Sequence, residues 1–387
     1  MGDTNVNLEK LDECEYRIKN IGWTLGNECP YRCTHCYSMM CREKGKDLTC
    51  AMIDRIISQV ASIGVETINV GGNEPLFANG LDPRKTLLPY IIREVTKRGI
   101  KIGLTTSGIT AIYLEKNYPE EFKLLNDIDV SLDSPFEEEH NKNRGANLYK
   151  QALKVLKICQ EYKKDHTIVM CAMKWNFSVK HLEKLVKLAK EYDANVRINM
   201  MKPTEKKHIE NMVGYEQYYK GYMTLNHLCN VVDMTDPIIA GAAKSGIGKR
   251  CPCGRTSFRI HSITPDGKVP ISPCVYLHDF KVGDLLKDDL KDLIESPQFK
   301  AFRKRNANPS KIADCISCEL KERCGGGCTA MAYLYNKHTT GEGNIFLKDP
   351  YCSRDHGKHL PKVDIYQDNS KRLVHMDYLC TWIGKPM

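Results

Sequence analysis

The stretch RIKNIGWTLGNECPYRCTHCYS, residues 17–38, runs a short apolar strand directly into a loop carrying Cys29, Cys33 and Cys36 at the spacing C-x3-C-x2-C. The same order of strand, polar loop and helix recurs down the chain. CAMIDRIISQVASIG (50–64) has apolar residues at helical spacing and stops at Gly64. Five further strands are VETINVGG (65–72), KIGLTTSG (101–108), DIDVSLDSP (127–135), HTIVMCAMKW (166–175) and NVRINMMKP (195–203). LLPYIIREVTKRG (87–99), AIYLEKNYPEEF (111–122), NLYKQALKVLKICQEY (147–162) and VKHLEKLVKLAKEY (179–192) read as helices between them. Strand–helix units of this kind make an α/β fold with a parallel sheet and right-handed crossovers. Ligands of such sheets collect at the carboxyl ends of the strands. The cysteine loop, GGNEP (71–75), TTSG (105–108), SLDSP (131–135) and NMMKP (199–203) all fall there.

Residues 1–15 read as an N-terminal extension and 16–205 as the strand–helix body. A polar helical connection spans 206–245, including GYEQYYKGYMTLNHLCNVV. From 246 to 360 the chain turns rich in cysteine and glycine around a Pro265-Asp266-Gly267 turn, as expected of a second domain held by metal. The tail, 361–387, contains LVHMDYLCTWIGKPM and is apolar enough to pack back on the body.

The net charge of +9 comes from 57 basic and 48 acidic residues without a concentrated basic block. Lysine-rich stretches such as KHLEKLVKLAKEY read as solvated helix faces, so a nucleic-acid surface is not expected. No apolar run approaches the roughly 18 residues of a membrane span. The acidic, polar start MGDTNVNLEKLDECEYR is no secretory signal, and a cytoplasmic location is expected. Eighteen cysteines are many for such a protein, and most lie in residues 29–41 and 251–352. Clusters of this kind point to metal sites in a reducing compartment, not to a disulfide framework. Cys14, Cys50, Cys159, Cys171, Cys229 and Cys380 read as isolated thiols, several of them core residues.

Three soft ligands on one loop need an explanation. A structural zinc site takes four ligands, and Cys41 is a better candidate fourth than His35, which sits between two ligands on a tight loop. A redox C-x2-C pair would not require Cys29. The C-x3-C-x2-C loop, with Tyr31, His35 and Tyr37 around it, resembles that of the radical S-adenosylmethionine (SAM) superfamily. That resemblance implies a partial (β/α)6 TIM-like barrel of parallel strands and a four-iron four-sulfur ([4Fe-4S]) cluster on Cys29, Cys33 and Cys36. Its open iron would chelate SAM, and reductive cleavage would yield a 5′-deoxyadenosyl radical. GGNEP is similar to the superfamily's glycine-rich loop, with Asn73 an insertion-like variant and Glu74 and Pro75 retained. Gly71, Gly72, Asn73 and Glu74 would contact the methionyl end, the two glycines permitting close backbone approach. SLDSPFEEEHNKNRG (131–145) resembles the S-x-D-G…H-D-x-x-R-G stretch, with Ser134 and Asn141 as departures. Ser131 would face the ribose, and Arg144 would pair with the SAM carboxylate as a forked donor. Tyr37, Thr106, Ser107, Asp133, Asn199 and Met201 would complete the cofactor contacts.

CISCELKERCGGGC (315–328) spaces Cys315, Cys318, Cys324 and Cys328 as C-x2-C-x5-C-x3-C, and Cys352 follows. CPCGRTSFRIHSITPDGKVPISPC (251–274) adds Cys251, Cys253 and Cys274 around Gly267. Eight thiolates could also hold two zincs, which iron content distinguishes. The pattern resembles the small cysteine-rich SPASM domain, which implies two auxiliary [4Fe-4S] clusters. Six residues, not the usual four, separate Gly267 from Cys274. By position, Cys251, Cys253, Cys274 and Cys328 would hold the first auxiliary cluster, and Cys315, Cys318, Cys324 and Cys352 the second.

Most SPASM-bearing members modify ribosomally made peptides, so the resemblance implies a peptide maturase fed by a precursor peptide. A reductant such as flavodoxin or ferredoxin would supply electrons. Cys29 lies so early that a separate peptide-recognition protein is expected. Anaerobic sulfatase-maturing enzymes place an aspartate directly after the cysteine matching Cys274; Val275 stands here, which disfavours formylglycine formation. Tyr276 and Asp279 are candidates for proton removal. Two alternatives stay open: an oxidoreductase or isomerase acting on a small molecule, and a non-catalytic metal scaffold binding RNA.

Overall fold

The computed structural model describes residues 15–26, 28–39, 42, 45–241, 250–356 and 373–387. Cys14, Cys41, nearly all of the N-terminal extension, the 245/246 boundary and the first part of the tail lie outside these residues. Strands β1 (Asn20–Trp23), β2 (Thr67–Val70), β3 (Lys101–Thr106), β4 (Asp127–Ser131), β5 (Asp165–Ala172) and β6 (Asn195–Met200) pair in parallel in that order. Four more, β7 (Cys229–Met234), β8 (Ser257–Ile260), β9 (Ile271–Ser272) and β10 (Trp382–Pro386), extend this into a ten-stranded sheet ordered β7-β10-β6-β5-β4-β3-β2-β1-β8-β9. The mostly parallel α/β sheet fits the expected partial barrel.

Strand alternation decides which face is which, because successive side chains point to opposite sides. Ile21 and Trp23, Ile68 and Val70, Ile102 and Leu104, Ile128 and Val130, and Val196 and Ile198 form one buried apolar row. Helices Leu88–Lys97, Tyr149–Glu161 and Val179–Glu191 pack on the sheet with their own buried apolar faces. The other row is polar: Thr67 and Asn69, Thr105, Asp127 and Asp129, Thr167, Arg197 and Asn199. Near the carboxyl ends these residues line a cavity. Near the amino ends the C-terminal segment covers them.

That segment is bound by charge. The Val374 amide donates to Asp127 at 2.8 Å, and Thr67 donates to the Val374 carbonyl at 3.2 Å. His375 Nδ1 lies 2.9 Å from Asp127 Oδ2 and 3.0 Å from Asp129 Oδ1, with all three groups buried. Arg197 pairs with Asp129 Oδ2 at 2.6 Å. Burial alone lowers the His375 pKa, but the Asp129 and Asp127 carboxylates outweigh it and the net shift is upward. A raised folded pKa gives stability that is complete below the unfolded value, about 6.5, and lost as pH rises through the folded one. Urea midpoints should therefore fall between about pH 6 and pH 9 by an amount that His375→Gln removes. An identical pH slope in the variant would contradict this pairing.

Three expectations need correction. Cys229–Met234, read within a helical connection, is β7, because it pairs with β10. AIYLEKNYPEEF is two helices, Ile109–Asn117 and Pro119–Leu124, because Pro119 cannot continue the first and starts the second. Glu137–Arg144, read only as a motif, is a helix ending on Gly145 in the left-handed region at φ 65°. No described helix is long and apolar enough to cross a membrane.

Candidate active site and cluster cysteines

A cavity of about 170 Å³ opens at the carboxyl ends of the parallel strands. Cys29, Cys33 and Cys36 all line it, with the first two buried and Cys36 partly so. The loop is fixed by a turn from the Cys36 amide to the Cys33 carbonyl at 3.2 Å, and by Arg32 donating to the Cys29 carbonyl at 2.8 Å. Arg42 Nη2 lies 3.1 Å from Cys36 Sγ, and Arg144 Nη1 3.9 Å from Cys33 Sγ. Burial pushes the Cys33 thiol up to about 11 while Arg144 opposes it. Among the described residues, no three His, Cys, Asp or Glu side chains converge as ligands of a single metal ion do. Three thiols on one cavity wall beside two guanidinium groups fit a larger cluster held by three thiolates. His35 is otherwise engaged: its Nδ1 meets Asn143 at 3.1 Å and its Nε2 lies 3.7 Å from Asp133.

Tyr37, Gly72, Asn73, Glu74, Thr106, Ser107, Ser131, Arg144, Asn199 and Met201 share this cavity with the three cysteines. Gly71 lies behind the wall, its carbonyl accepting from Arg259 at 2.6 Å. Gly72 has φ +106°, and a Cβ there would sit 2.5 Å from both Arg259 Nη2 and Thr24 Oγ1. Gly72→Ala should cost about 1–3 kcal/mol from backbone strain and weaken SAM binding as Arg259 shifts. Urea melts and calorimetric titration with SAM check this; wild-type values in both would contradict it.

Asn73 ties the site together, donating to the Gly26 carbonyl at 2.7 Å and accepting from Ser38 at 2.8 Å. Ser38 in turn contacts Cys36 Sγ at 3.1 Å. The variant position therefore braces the cysteine loop. Glu74 is a buried acceptor for Thr106 Oγ1, the Ser107 amide (3.0 Å) and hydroxyl (2.6 Å), and Thr110 Oγ1 (2.5 Å). It locks the glycine loop to the end of β3.

Besides Gly71, two candidates do not face the cavity. Asp133 is fully buried behind it, paired with Arg144 Nε at 2.7 Å and accepting from Asn143 at 2.9 Å and the Cys171 amide at 3.1 Å. Burial would raise its carboxyl, but Arg144, then His35 and His140, hold it well below the usual carboxylate range. Asp133 thus orients Arg144 and makes no ligand contact of its own. Asp279 points outward, accepting from Tyr333 at 2.8 Å and pairing with Lys337 at 2.5 Å, with half its side chain exposed. The Lys337 contact lowers its pKa, which suits an ion pair and not a base in the cavity. Tyr276 does line the cavity, edge-to-face with Tyr37 at 5.1 Å. Burial raises its phenol, so it stays protonated. Sequence reasoning passed over Arg42, Cys171, Arg197, Lys202, Tyr378 and Leu379, which also line the cavity. Strand alternation from Thr167 and Asn199 could have found Cys171 and Arg197.

Cys315, Cys318, Cys324 and Cys352 line a separate, smaller cavity with Lys348 and Arg354. Cys251, Cys253, Cys274 and Cys328, the other expected set, are all buried, and so is Cys380. Gly325, Gly326 and Gly327 have φ of +62°, +76° and +81°, a path that sends Cys324 and Cys328 to different groups. Buried Arg305 donates to the Gly326 carbonyl at 2.9 Å and holds that path. Two thiol groups in a region stapled by long-range contacts fit two auxiliary clusters.

Residues 23–189 match the radical SAM superfamily, and residues 251–319 match the SPASM iron–sulfur cluster-binding domain. The chain is a radical SAM superfamily enzyme with a SPASM domain; the superfamily uses SAM and a [4Fe-4S] cluster, and the domain binds auxiliary clusters. Mycofactocin maturase MftC of Mycobacterium ulcerans is 23% identical over 384 residues, covering 90% of this chain and 94% of that one. An uncharacterized protein of Archaeoglobus fulgidus is 25% identical over 363 residues, covering 89% and 81%. Among solved structures, anSMEcpe with bound AdoMet aligns with TM-score 0.63 at 16% identity, covering 87% and 95%. Streptococcus suis SuiB bound to precursor peptide SuiA aligns with TM-score 0.60 at 16% identity, covering 88% and 77%. Both likenesses concern the fold.

Proposed function

We propose that this enzyme modifies a ribosomally synthesised precursor peptide by hydrogen-atom abstraction, followed by cross-linking, excision or backbone rearrangement. The observation that carries the reading is the similarity to mycofactocin maturases over nearly the whole of both chains. The peptide-bound SuiB structure supports it. When bound, the cluster and SAM supply a 5′-deoxyadenosyl radical. The chain's part is to position and shield. Cys29, Cys33 and Cys36 hold the cluster, and Arg42 and Arg144 balance the thiolate charge. Gly72 to Glu74, Thr106, Ser107, Ser131, Asn199, Met201 and Tyr37 form the SAM bed, with Arg144 on the carboxylate and Asp133 fixing Arg144. Tyr276 and Leu379 close the cavity wall and exclude water from the reacting carbon.

A separate recognition protein delivers the peptide, and a flavodoxin or ferredoxin supplies the electron. Anaerobic reaction with SAM, reductant and candidate precursor peptides should give 5′-deoxyadenosine and a peptide mass change. Turnover coupled only to a sugar or amine would overturn the reading.

A further inference from the structure

Arg197 lines the SAM cavity, yet only one of its three guanidinium nitrogens is hydrogen-bonded among the described residues. Nη1 donates to Asp129 Oδ2 at 2.6 Å, while Nε and Nη2 are buried without an acceptor. Those two nitrogens share one edge of the planar group, the edge that can take both oxygens of a carboxylate. Arg197 is 2% exposed, and buried donors left unpaired carry a desolvation cost.

A second free donor belongs to the same chain of contacts. The Thr105 hydroxyl donates to Asn69 Oδ1 at 2.9 Å and lies 3.3 Å from Asp129 Oδ2, the atom that holds Arg197. With its oxygen engaged, Asn69 lines the cavity with Nδ2 buried and unpartnered. The local charge favours an anion. Glu74 is the one carboxylate among the described residues lining this cavity, and Thr106, Ser107 and Thr110 already bond to it. Asp129 stands behind the wall and also faces His375 at 3.0 Å. Buried Lys202 adds a further cation to the wall, its Nζ donating to the Met200 carbonyl at 2.9 Å.

We propose that the Nε/Nη2 edge of Arg197 and Asn69 Nδ2 form a subsite for a carboxylate of the substrate. The inference rests on the peptide reading above and adds to it an acidic group, either the chain's C-terminus or an Asp or Glu side chain. The subsite is distinct from Arg144, which lies 3.9 Å from Cys33 on the cluster side. Arg197 sits two residues before Asn199 on β6, roughly 7 Å deeper along the strand. Asp129 holds one end of the guanidinium and the Tyr378 ring flanks it at 5.7 Å, so the fork is oriented before the substrate arrives.

The test is a ligand-observed NMR titration of the unreduced, cluster-loaded, SAM-bound enzyme with three probes. They are acetyl-Gly-Gly with a free carboxylate, its C-terminal amide, and acetyl-Asp-Gly amide. One or both carboxylate probes should bind roughly 10–100-fold more tightly than the carboxylate-free amide. Preference for the first identifies a C-terminal carboxylate, and preference for the third a side chain. Arg197→Lys keeps the charge but loses the fork, so it should abolish that preference while calorimetry shows wild-type SAM affinity. Equal binding of all three probes by wild type, or by none, would overturn the proposal. So would an undiminished preference in Arg197→Lys, or a tenfold loss of SAM affinity there, which would assign the fork to the cofactor. If Arg197→Lys does not fold, a reduced preference in Asn69→Ala supports the subsite and an unchanged one overturns it. Carboxylate preference in an enzyme that changes the mass of no precursor peptide would keep the subsite and remove the peptide reading beneath it.

Discussion

Cys33→Ala should abolish reductive SAM cleavage while the two auxiliary sets keep their iron. Cys33 is 8% exposed on the cavity wall, and the loop around it is closed by the Cys36-to-Cys33 turn. With only two thiolates the loop cannot keep three irons ligated and one free for the cofactor. The loss should exceed the roughly 10–100-fold that removal of an outer-shell partner costs a metal site. 5′-Deoxyadenosine measured by chromatography should fall to the no-enzyme background. Cys50→Ala, at an exposed position outside both cysteine motifs, should be indistinguishable from wild type. Normal turnover by Cys33→Ala would remove the three-thiolate assignment.

Arg144→Met should cost about 3–5 kcal/mol, because it leaves the buried Asp133 carboxylate without its main partner. The remaining groups, Asn143 at 2.9 Å and His35 at 3.7 Å, do not replace a guanidinium at 2.7 Å. The same change removes the cation facing Cys33 and the SAM bed, so SAM affinity should fall as well. Adding Asp133→Asn should recover most of the stability, since no buried charge is then unpaired, without restoring SAM binding. The pH dependence has a definite sign. Asp133's folded pKa is depressed, so its contribution is present above the unfolded value, about 3.9, and is lost as pH falls toward the folded one. Urea melts at several pH values with calorimetric SAM titration check this. A stable Arg144→Met protein with normal SAM affinity would contradict it.

The parallel barrel and its cavity were legible because their signals are local: strand alternation, helical periodicity and loops at strand ends. What stayed hidden was set by long-range pairing. β10 lies between β6 and β7, with Trp382 opposite Ile198 on one side and Met234 on the other. Nothing within WIGKP announces those partners. The Glu137–Arg144 helix escaped because EEEHNKNR has no apolar stripe; it forms with three glutamates in its first turn and Gly145 as its stop. Asp133 and Arg144 were both read as cofactor contacts, but the sequence cannot tell which of two paired residues reaches the cavity and which stands behind it. Tyr276 and Asp279 lie three residues apart in an irregular loop, where no periodicity fixes orientation.

The central claim is that three thiolates leave one iron open to SAM. It is tested most directly by electron–nuclear double resonance on the reduced enzyme with SAM labelled at its amino nitrogen. The account predicts a coupling from that nitrogen to a single cluster, absent in Cys33→Ala and retained in Cys318→Ala, whose change lies in the second auxiliary set. Bound SAM whose labelled nitrogen shows no coupling to any cluster would contradict it.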